Sequence, residues 1–318
     1  MNNIKYTQSW YPVYISSKLK GGDLVPIDIF DSEWLLFRSK IDEKIGFVER
    51  FCPHMGADLA NGSVDGCNLV CPLHKFKFNA SSKDSHSDNG IKRLKVKEKY
   101  GLVFVFLGKE ALFELPEIDG VVTPMYSDPL LVKLENNYLA VSLNTFDTQH
   151  FQFIHNRDVL KDISLFKNDV FHMGAIFSVR VKLVRWVDYV MYFLGYSESK
   201  LKYEIWGDNL AYGRNMTSKK NFLAMLSPGL TKDKCNFYIV AAEEKWSESV
   251  ALTWIQRRYL NILTYFGRSF LATDFPVIKN MQPKEGCLLP DKDKAVRMFW
   301  EHKRALPILT KTENNIWE

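Results

Sequence analysis

Phe51-Cys52-Pro53-His54 and Val70-Cys71-Pro72-Leu73-His74 are two short loops, each with one thiol and one imidazole, and sixteen residues separate His54 from Cys71. Four soft or borderline donors at that spacing point to a metal. Mixed loops suit a [2Fe–2S] centre in which two His replace two Cys on one iron, because each loop then gives one ligand to each iron. A Cys2His2 zinc site stays chemically open, although zinc ligands usually come as a Cys pair and a His pair. Pro53 and Pro72 fix φ and remove a backbone donor, which stiffens both loops. The small residues between Gly56 and Gly62 let the chain pass close to such a centre.

Outward from these loops the sequence reads as short strands between turn residues. Leu24 to Phe30 and Trp34 to Phe37 flank Asp31-Ser32-Glu33 as a hairpin. Ile45 to Phe51 and Asn68 to Cys71 share that texture, Gly62 to Gly66 reads as a turn, and Lys75 to Phe78 alternates with period two. The polar run from Ala80 to Gly90 reads as an exposed loop, and Lys95 to Leu107 returns to strand. Pro116, Gly120 and Pro124 mark a boundary, so a small all-β domain is expected over residues 1–115 and a second domain over 116–318. The second opens with a strand-like Tyr138 to Leu143 and turns helical at Asn144-Thr145. Strands follow at Ala175 to Val184, Val190 to Leu194, Leu201 to Trp206 and Phe237 to Ala242, with helices near Thr253 to Leu271 and Asp291 to Arg304. The fold class is therefore α+β, with an antiparallel sheet flanked by helices.

A second constellation lies at Asp147-Thr148-Gln149-His150 and His155. At about 100° per residue the two histidines stand roughly 140° apart on a regular helix. They converge only if the helix bulges or ends near His155, and such irregularities often mark functional sites. Asp147 sits one turn before His150, where it can hydrogen-bond the imidazole and fix its tautomer. Two His and one carboxylate form the facial triad of non-haem Fe(II) sites. Asp274, just before Pro276, is a candidate third ligand, although position alone favours a turn or helix cap. Two ordinary core or surface histidines are the plain alternative for His150 and His155.

Composition narrows the classes. The 318 residues carry 42 Lys+Arg against 37 Asp+Glu, a net +5 that falls short of a dedicated nucleic-acid binder. Five cysteines are too few and odd in number for a disulfide-stapled secreted scaffold, so a cytoplasmic setting is expected; Cys235 and Cys287 read as ordinary thiols, and Cys67 as a hairpin-turn residue. The greasiest stretch, Val187 to Tyr196, is short and carries Asp188, so no membrane span is expected. No G-x-G-x-x-G follows a strand, which argues against a nicotinamide or flavin site of its own. The run Lys92-Arg93-Leu94-Lys95-Val96-Lys97-Glu98-Lys99 suits an acidic electron donor, but reads more readily as a solvated strand face.

Together these residues resemble the oxygenase component of the Rieske non-haem iron oxygenases over nearly the whole chain. That family's cluster pattern is C-x-H, a spacer, then C-x-x-H, which Cys52, His54, Cys71 and His74 fit. Its iron pattern, D-x-x-H, four intervening residues and a second H, is met by Asp147, His150 and His155. Trp10-Tyr11-Pro12-Val13-Tyr14, the Tyr100 to Gly108 tail, and the Asp274-x-Pro276-Val277-Ile278 setting are also similar. The chain departs at Met55 and at Lys75-Phe76, beside the ligands rather than at them.

The resemblance implies a Rieske [2Fe–2S] domain followed by a helix-grip catalytic domain, with mononuclear Fe(II) on His150, His155 and Asp274. It implies a terminal oxygenase that uses O2 as co-substrate on a small apolar, steroid-like substrate. It further implies a separate NAD(P)H-dependent reductase, with or without a ferredoxin, and a head-to-tail homotrimer in which Asp147 bridges His150 to a neighbour's His74. The rival expectation is a Rieske electron carrier or binding protein without oxygenase activity, whose mark would be a broken triad.

Overall fold

In the computed structural model the described residues are 4–79, 90–160, 163–184, 197–228, 234–285 and 293–311, together with Tyr189 and Tyr192. The expected loop over 80–89 and Cys287 lie outside them, as does the expected strand Val190 to Leu194 except for Tyr192, which is helical. The described residues form two compact units, 4–115 with 227–228 and 308–311, and 116–226 with 234–307.

The first unit is built from β1 (Ile4–Thr7), β2 (Trp10–Ile15), β3 (Leu24–Ile29), β4 (Ser32–Arg38), β5 (Ile45–Glu49), β6 (Ser63–Asp65), β7 (Asn68–Val70), β8 (Lys77–Asn79), β9 (Lys95–Lys99) and β10 (Leu102–Phe106). Three antiparallel sheets result, ordered β2-β10-β9, β3-β4-β5 and β6-β7-β8. Tight turns at Phe30-Asp31 and Tyr100-Gly101 have φ positive at both residues, the geometry that matches strand twist in two-residue hairpins. The first hairpin therefore turns at 30–31 rather than over 31–33. The expected turn over 62–66 is instead strand β6, with Gly66 and Cys67 making the reversal into β7. One core gathers Tyr11, Phe30, Trp34, Phe47, Val103 and Val105, where Trp34 stacks on Phe47 at 5.2 Å. A second packs Leu35, Phe37, Leu59, Leu69 and Phe78 around Cys52 and Cys71.

The second unit holds a sheet of nine described strands. They are β11 (Pro124–Tyr126), β12 (Leu130–Leu134), β13 (Arg157–Val159), β14 (Ser164–Lys167), β15 (His172–Val181), β16 (Glu198–Trp206), β17 (Leu210–Asn215), β18 (Lys220–Pro228) and β19 (Cys235–Glu244). The order is β11-β19-β18-β17-β16-β15-β13, with β12 also on β19 and β14 also on β15. Its helices are α1 (Tyr138–Phe146), α2 (His150–Phe153), α3 (Val250–Leu271), α4 (Phe275–Ile278) and α5 (Lys294–Ala305). The final strand, β20 (Ile308–Lys311), pairs antiparallel with β1, so the chain returns to the first unit after the second is complete.

Tyr138 to Leu143 is a helix, not the expected strand. Asn137 caps it by accepting from the Leu139 amide at 2.9 Å, and Ala140, Val141, Leu143 and Phe146 are buried at helical spacing. Phe146 stacks on Phe299 of α5, which fixes α1 within the core and sets where Asp147 emerges.

Gly62 is held between the 3-10 turn at Leu59–Asn61 and β7, and a Cβ there would collide with the Val70 carbonyl oxygen. Because that atom is backbone and cannot swing away, Gly62→Ala is expected to lower the unfolding free energy by about 1–3 kcal/mol, the usual cost of overpacking. Urea unfolding of the intact chain measures it, and an unchanged midpoint would show that the hairpin relaxes.

Candidate functional site

The two cluster loops share one backbone design. Cys52 N–H donates to the Ala57 carbonyl and Gly56 N–H to the Cys52 carbonyl; Cys71 N–H likewise donates to Phe76 and Lys75 N–H to Cys71. Each loop closes on a residue of positive φ, Gly56 at 70° and Lys75 at 60°. The left-handed turn thus falls four residues after each cysteine, on Gly in one loop and, at a steric cost, on Lys in the other.

Both thiols are buried, and both imidazoles are exposed. His54 Nδ1 and His74 Nδ1 approach to 3.1 Å. Burial raises the Cys52 pKa, and its thiol neighbour Cys71 adds to the rise. Burial also opposes ionisation of Cys71, but the backbone N–H groups of His74 and Leu73 outweigh it and that pKa falls. Two paired thiols and two converging nitrogens on rigid loops fit a [2Fe–2S] centre with a sulfur side within the core and an imidazole side at the surface.

The second site forms where two helices break. Helix α2 is a single turn that ends at Phe153, and Asn156 has φ 53°, so the chain swings His155 back beside His150. The sequence expectation of a helix end is met. Asp274 occupies the N-cap position of α4 but makes no cap hydrogen bond, so its carboxylate points elsewhere. It lies 3.1 Å from His155 Nε2 and 4.0 Å from His150 Nε2. Each of the three residues can present one ligand atom within 4.8 Å of the others. His155 is 1% and Asp274 3% exposed, and Asp274 Oδ1 is buried with no hydrogen-bond partner.

Hydrogen-bond logic fixes both tautomers. His150 Nδ1 faces the Asp147 carbonyl oxygen, which only accepts, so Nδ1 carries the proton and Nε2 keeps its lone pair. His155 Nδ1 lies 3.3 Å from Thr273 Oγ1, whose own hydrogen goes to the Phe270 carbonyl at 2.7 Å. His155 Nδ1 therefore donates as well, and its Nε2 is also free. Burial lowers the His150 pKa, which keeps that ring neutral. Two neutral nitrogens and an orphaned carboxylate oxygen fit a divalent metal.

Asp147 acts on His150 through its main-chain oxygen. Its carboxylate instead accepts from the Gln149 amide at 2.9 Å, so the expected side-chain contact to the imidazole is not the one made within this chain. Thr273 and Phe270, which stacks on His155 at 3.8 Å, had no sequence motif of their own; Thr273 stands directly before Asp274, and adjacency was the one available signal. Cys235 is an ordinary core thiol, pushed up to about 12 by burial. The basic run is internally compensated: Lys92 meets Glu49, Lys95 meets Glu110, Lys97 meets Glu114, and Lys99 meets the Leu115 carbonyl.

The site opens into a cavity of about 340 Å³ in the second unit. Its walls are mostly apolar, including Phe151, Val179, Leu201, Phe222, Ile239 and Phe270. Tyr203 also lines it, and burial with the nearby Asp274 charge pushes its hydroxyl pKa up, so the phenol stays protonated.

Residues 9–95 match the Rieske [2Fe-2S] domain family, so the first unit carries a Rieske domain. The chain is 29% identical over 160 residues to the oxygenase subunit of 3-chlorobenzoate-3,4-dioxygenase from Comamonas testosteroni, 46% of this chain and 37% of that protein. It is 26% identical over 186 residues to cholesterol 7-desaturase of Drosophila melanogaster, 54% of this chain and 43% of that protein. Each match thus spans under half of the curated relative. Dicamba monooxygenase bound to 3,6-dichlorosalicylic acid has the same fold, at TM-score 0.63 and 15% identity over 94% of this chain and 96% of that one. NdmA of Pseudomonas putida, as a mutant with theobromine, aligns at TM-score 0.64 and 16% identity over 96% and 97%. The chain thus carries a Rieske [2Fe-2S] domain and, over nearly its whole length, shares the fold of these solved oxygenases.

Thr273→Val keeps the shape and removes the acceptor for His155 Nδ1–H. Metal affinity at the triad is expected to fall about 10–100-fold, as when a ligand's orienting partner is lost. Titration with Fe(II) under anaerobic conditions measures this, and the Rieske absorbance should not move; unchanged affinity would remove Thr273 from the site.

Proposed function

We propose that this protein is a terminal oxygenase that takes electrons through a Rieske cluster to a mononuclear Fe(II) and uses O2 to oxidise an apolar organic substrate. The observation that carries this reading is the convergence of His150 Nε2, His155 Nε2 and an Asp274 carboxylate oxygen at the wall of an apolar cavity. Cys52 and Cys71 would hold one iron of the cluster, and His54 and His74 the other. When bound, the metals supply one-electron transfer and O2 activation.

The chain supplies the rest. The Asp147 carbonyl and Thr273 hold the two imidazoles in their metal-binding tautomers, and Phe270 braces His155. Asp274 contributes the charge that keeps a divalent ion in place. The apolar walls position substrate and keep water from the reacting centre, while Tyr203 holds its proton at the hydroxyl. The cavity is at the small end of ligand sites, which supports a compact apolar substrate. A steroid-like skeleton is of this class, and relatives include cholesterol 7-desaturase and a 3-ketosteroid-9-alpha-monooxygenase oxygenase component. The intact triad disfavours an electron carrier without oxygenase activity.

Electrons would come from a separate NAD(P)H-dependent reductase, with or without a ferredoxin, entering where His54 and His74 meet solvent. Met55, Leu73, Phe51 and Phe76 form an exposed apolar collar near those rings. A second depression of about 480 Å³, lined by Asp147, His150, Phe153 and Val277, reaches the iron site from another side. The two surfaces support a head-to-tail ring, a trimer, in which the collar of one copy seats near Asp147 of the next. The unpaired thiols that hold the cluster support a reducing, cytoplasmic location.

Reconstituted protein is expected to hold about three irons per chain, two in the cluster and one in the triad. Asp274→Ala should hold about two with an unchanged Rieske spectrum, and Cys52→Ser should lose that spectrum while keeping triad iron. Full iron and normal product formation in Asp274→Ala would overturn the assignment. Asp147→Asn is expected to retain both centres and lose most turnover under 18O2, read as labelled product by mass spectrometry; wild-type turnover would take its carboxylate out of the mechanism.

A further inference from the structure

Helix α3 presents an outer face that the oxygenase reading does not use. Its inner side buries Gln256, Leu260 and Thr264. Outward lie Trp254, Ile255, Ile262, Tyr265 and Phe266, each between 47% and 60% exposed. At about 100° per residue these five fill a stripe about 120° wide. Arg258 falls inside the stripe, and Arg257 and Arg268 follow one margin; all three are exposed. The 22 residues of the helix include no Asp or Glu. Arg258 lies over the Trp254 ring at 5.2 Å, and Arg257 stands 4.0 Å from an exposed Asp128.

We propose that this face of α3 seats the protein on the surface of a bilayer that contains anionic lipid. An exposed apolar stripe of this size marks an interaction site, and its chemistry selects the partner. A helix with an apolar face flanked by arginines lies in the interfacial plane of a membrane. Trp and Tyr favour that depth, with an apolar ring body and a polar tip. Arginines without neighbouring acids on the helix complement lipid phosphates. A second copy docking through the same face would bring its own Arg257, Arg258 and Arg268 against these arginines. Seating differs from spanning, since among the described residues no helix is long and apolar enough to cross a membrane.

The face also continues into the cavity. Phe266, Gly267, Phe270 and Leu271 of α3 line it. An apolar substrate dissolved in the bilayer would enter beside Phe266 without crossing bulk water. This use of the surface rests on the oxygenase reading, whereas the seating itself does not.

The test is flotation of the full-length, metal-loaded protein with phosphatidylcholine vesicles, with and without phosphatidylserine. Binding is expected only to the anionic vesicles and should weaken as salt rises. The triple variant Arg257→Gln, Arg258→Gln, Arg268→Gln should lose about a hundredfold in affinity, and Trp254→Ser with Ile262→Ser should also release the protein, both with unchanged circular dichroism and Rieske spectra. Wild-type binding to neither vesicle, equal binding to both, or variants that bind like wild type would overturn the proposal. So would a change of oligomeric mass in the stripe variant by light scattering, which would make the face an interface between copies. Because no readout uses turnover, loss of oxygenase activity and loss of seating are told apart.

Discussion

Three hydrogen-bond acceptors face one another in a buried space. His150 Nε2, His155 Nε2 and Asp274 Oδ1 all present lone pairs, since each imidazole has committed its proton to the opposite nitrogen. Such a cluster is repulsive, and an uncompensated buried carboxylate carries a heavy desolvation cost. A cation at their focus turns every one of these terms favourable. The Asp147 carbonyl, the Thr273 hydroxyl and the apolar walls raise the cost of leaving the focus empty.

Regular secondary structure cannot deliver this geometry. A continuous helix through 150–155 would spread the histidines apart, so α2 stops after one turn and Asn156 takes a left-handed backbone. A continuous helix through 271–278 would commit Asp274 to ordinary surface or capping duty; instead the chain breaks at 272–274 and the carboxylate turns inward. These breaks are held by their surroundings. Phe146 against Phe299 anchors α1 on one flank, and Phe275 packs with Phe237 on the other. Local departures of this kind persist only where packed neighbours over-determine them.

The same physics explains what could be read from sequence. The candidate donors Cys52, His54, Cys71, His74, His150 and His155 were legible because they sit in short local patterns, and local spacing survives folding. The strands with strong alternation or β-branched runs, such as Leu102–Phe106, were legible for the same reason. Tyr138–Leu143 misled because Tyr-Leu-Ala-Val-Ser-Leu suits a strand as well as a helix; the Asn137 cap and contacts from α5, some 150 residues later, decide it. The inward turn of Asp274 was hidden because a capping carboxylate and one aimed at two histidines look alike in sequence. Only the absent cap bond and the meeting with His155, 119 positions away, separate them.

The two sites place their imidazoles at opposite ends of a burial gradient. At the cluster loops the thiols are inside and His54 and His74 face solvent; at the triad His155 is among the most buried polar groups of the chain. A centre that exchanges electrons with a partner needs an edge near the surface. One that meets O2 and an apolar molecule needs dry walls around it. A thiolate charge is also better tolerated inside when backbone N–H groups converge on it, as those of His74 and Leu73 do at Cys71. The rings are held by different means, His150 by the Asp147 carbonyl and His155 by the Thr273 hydroxyl. Which way the ring faces, outward past Met55 and Leu73 or inward past Phe270, sets what each centre is able to meet.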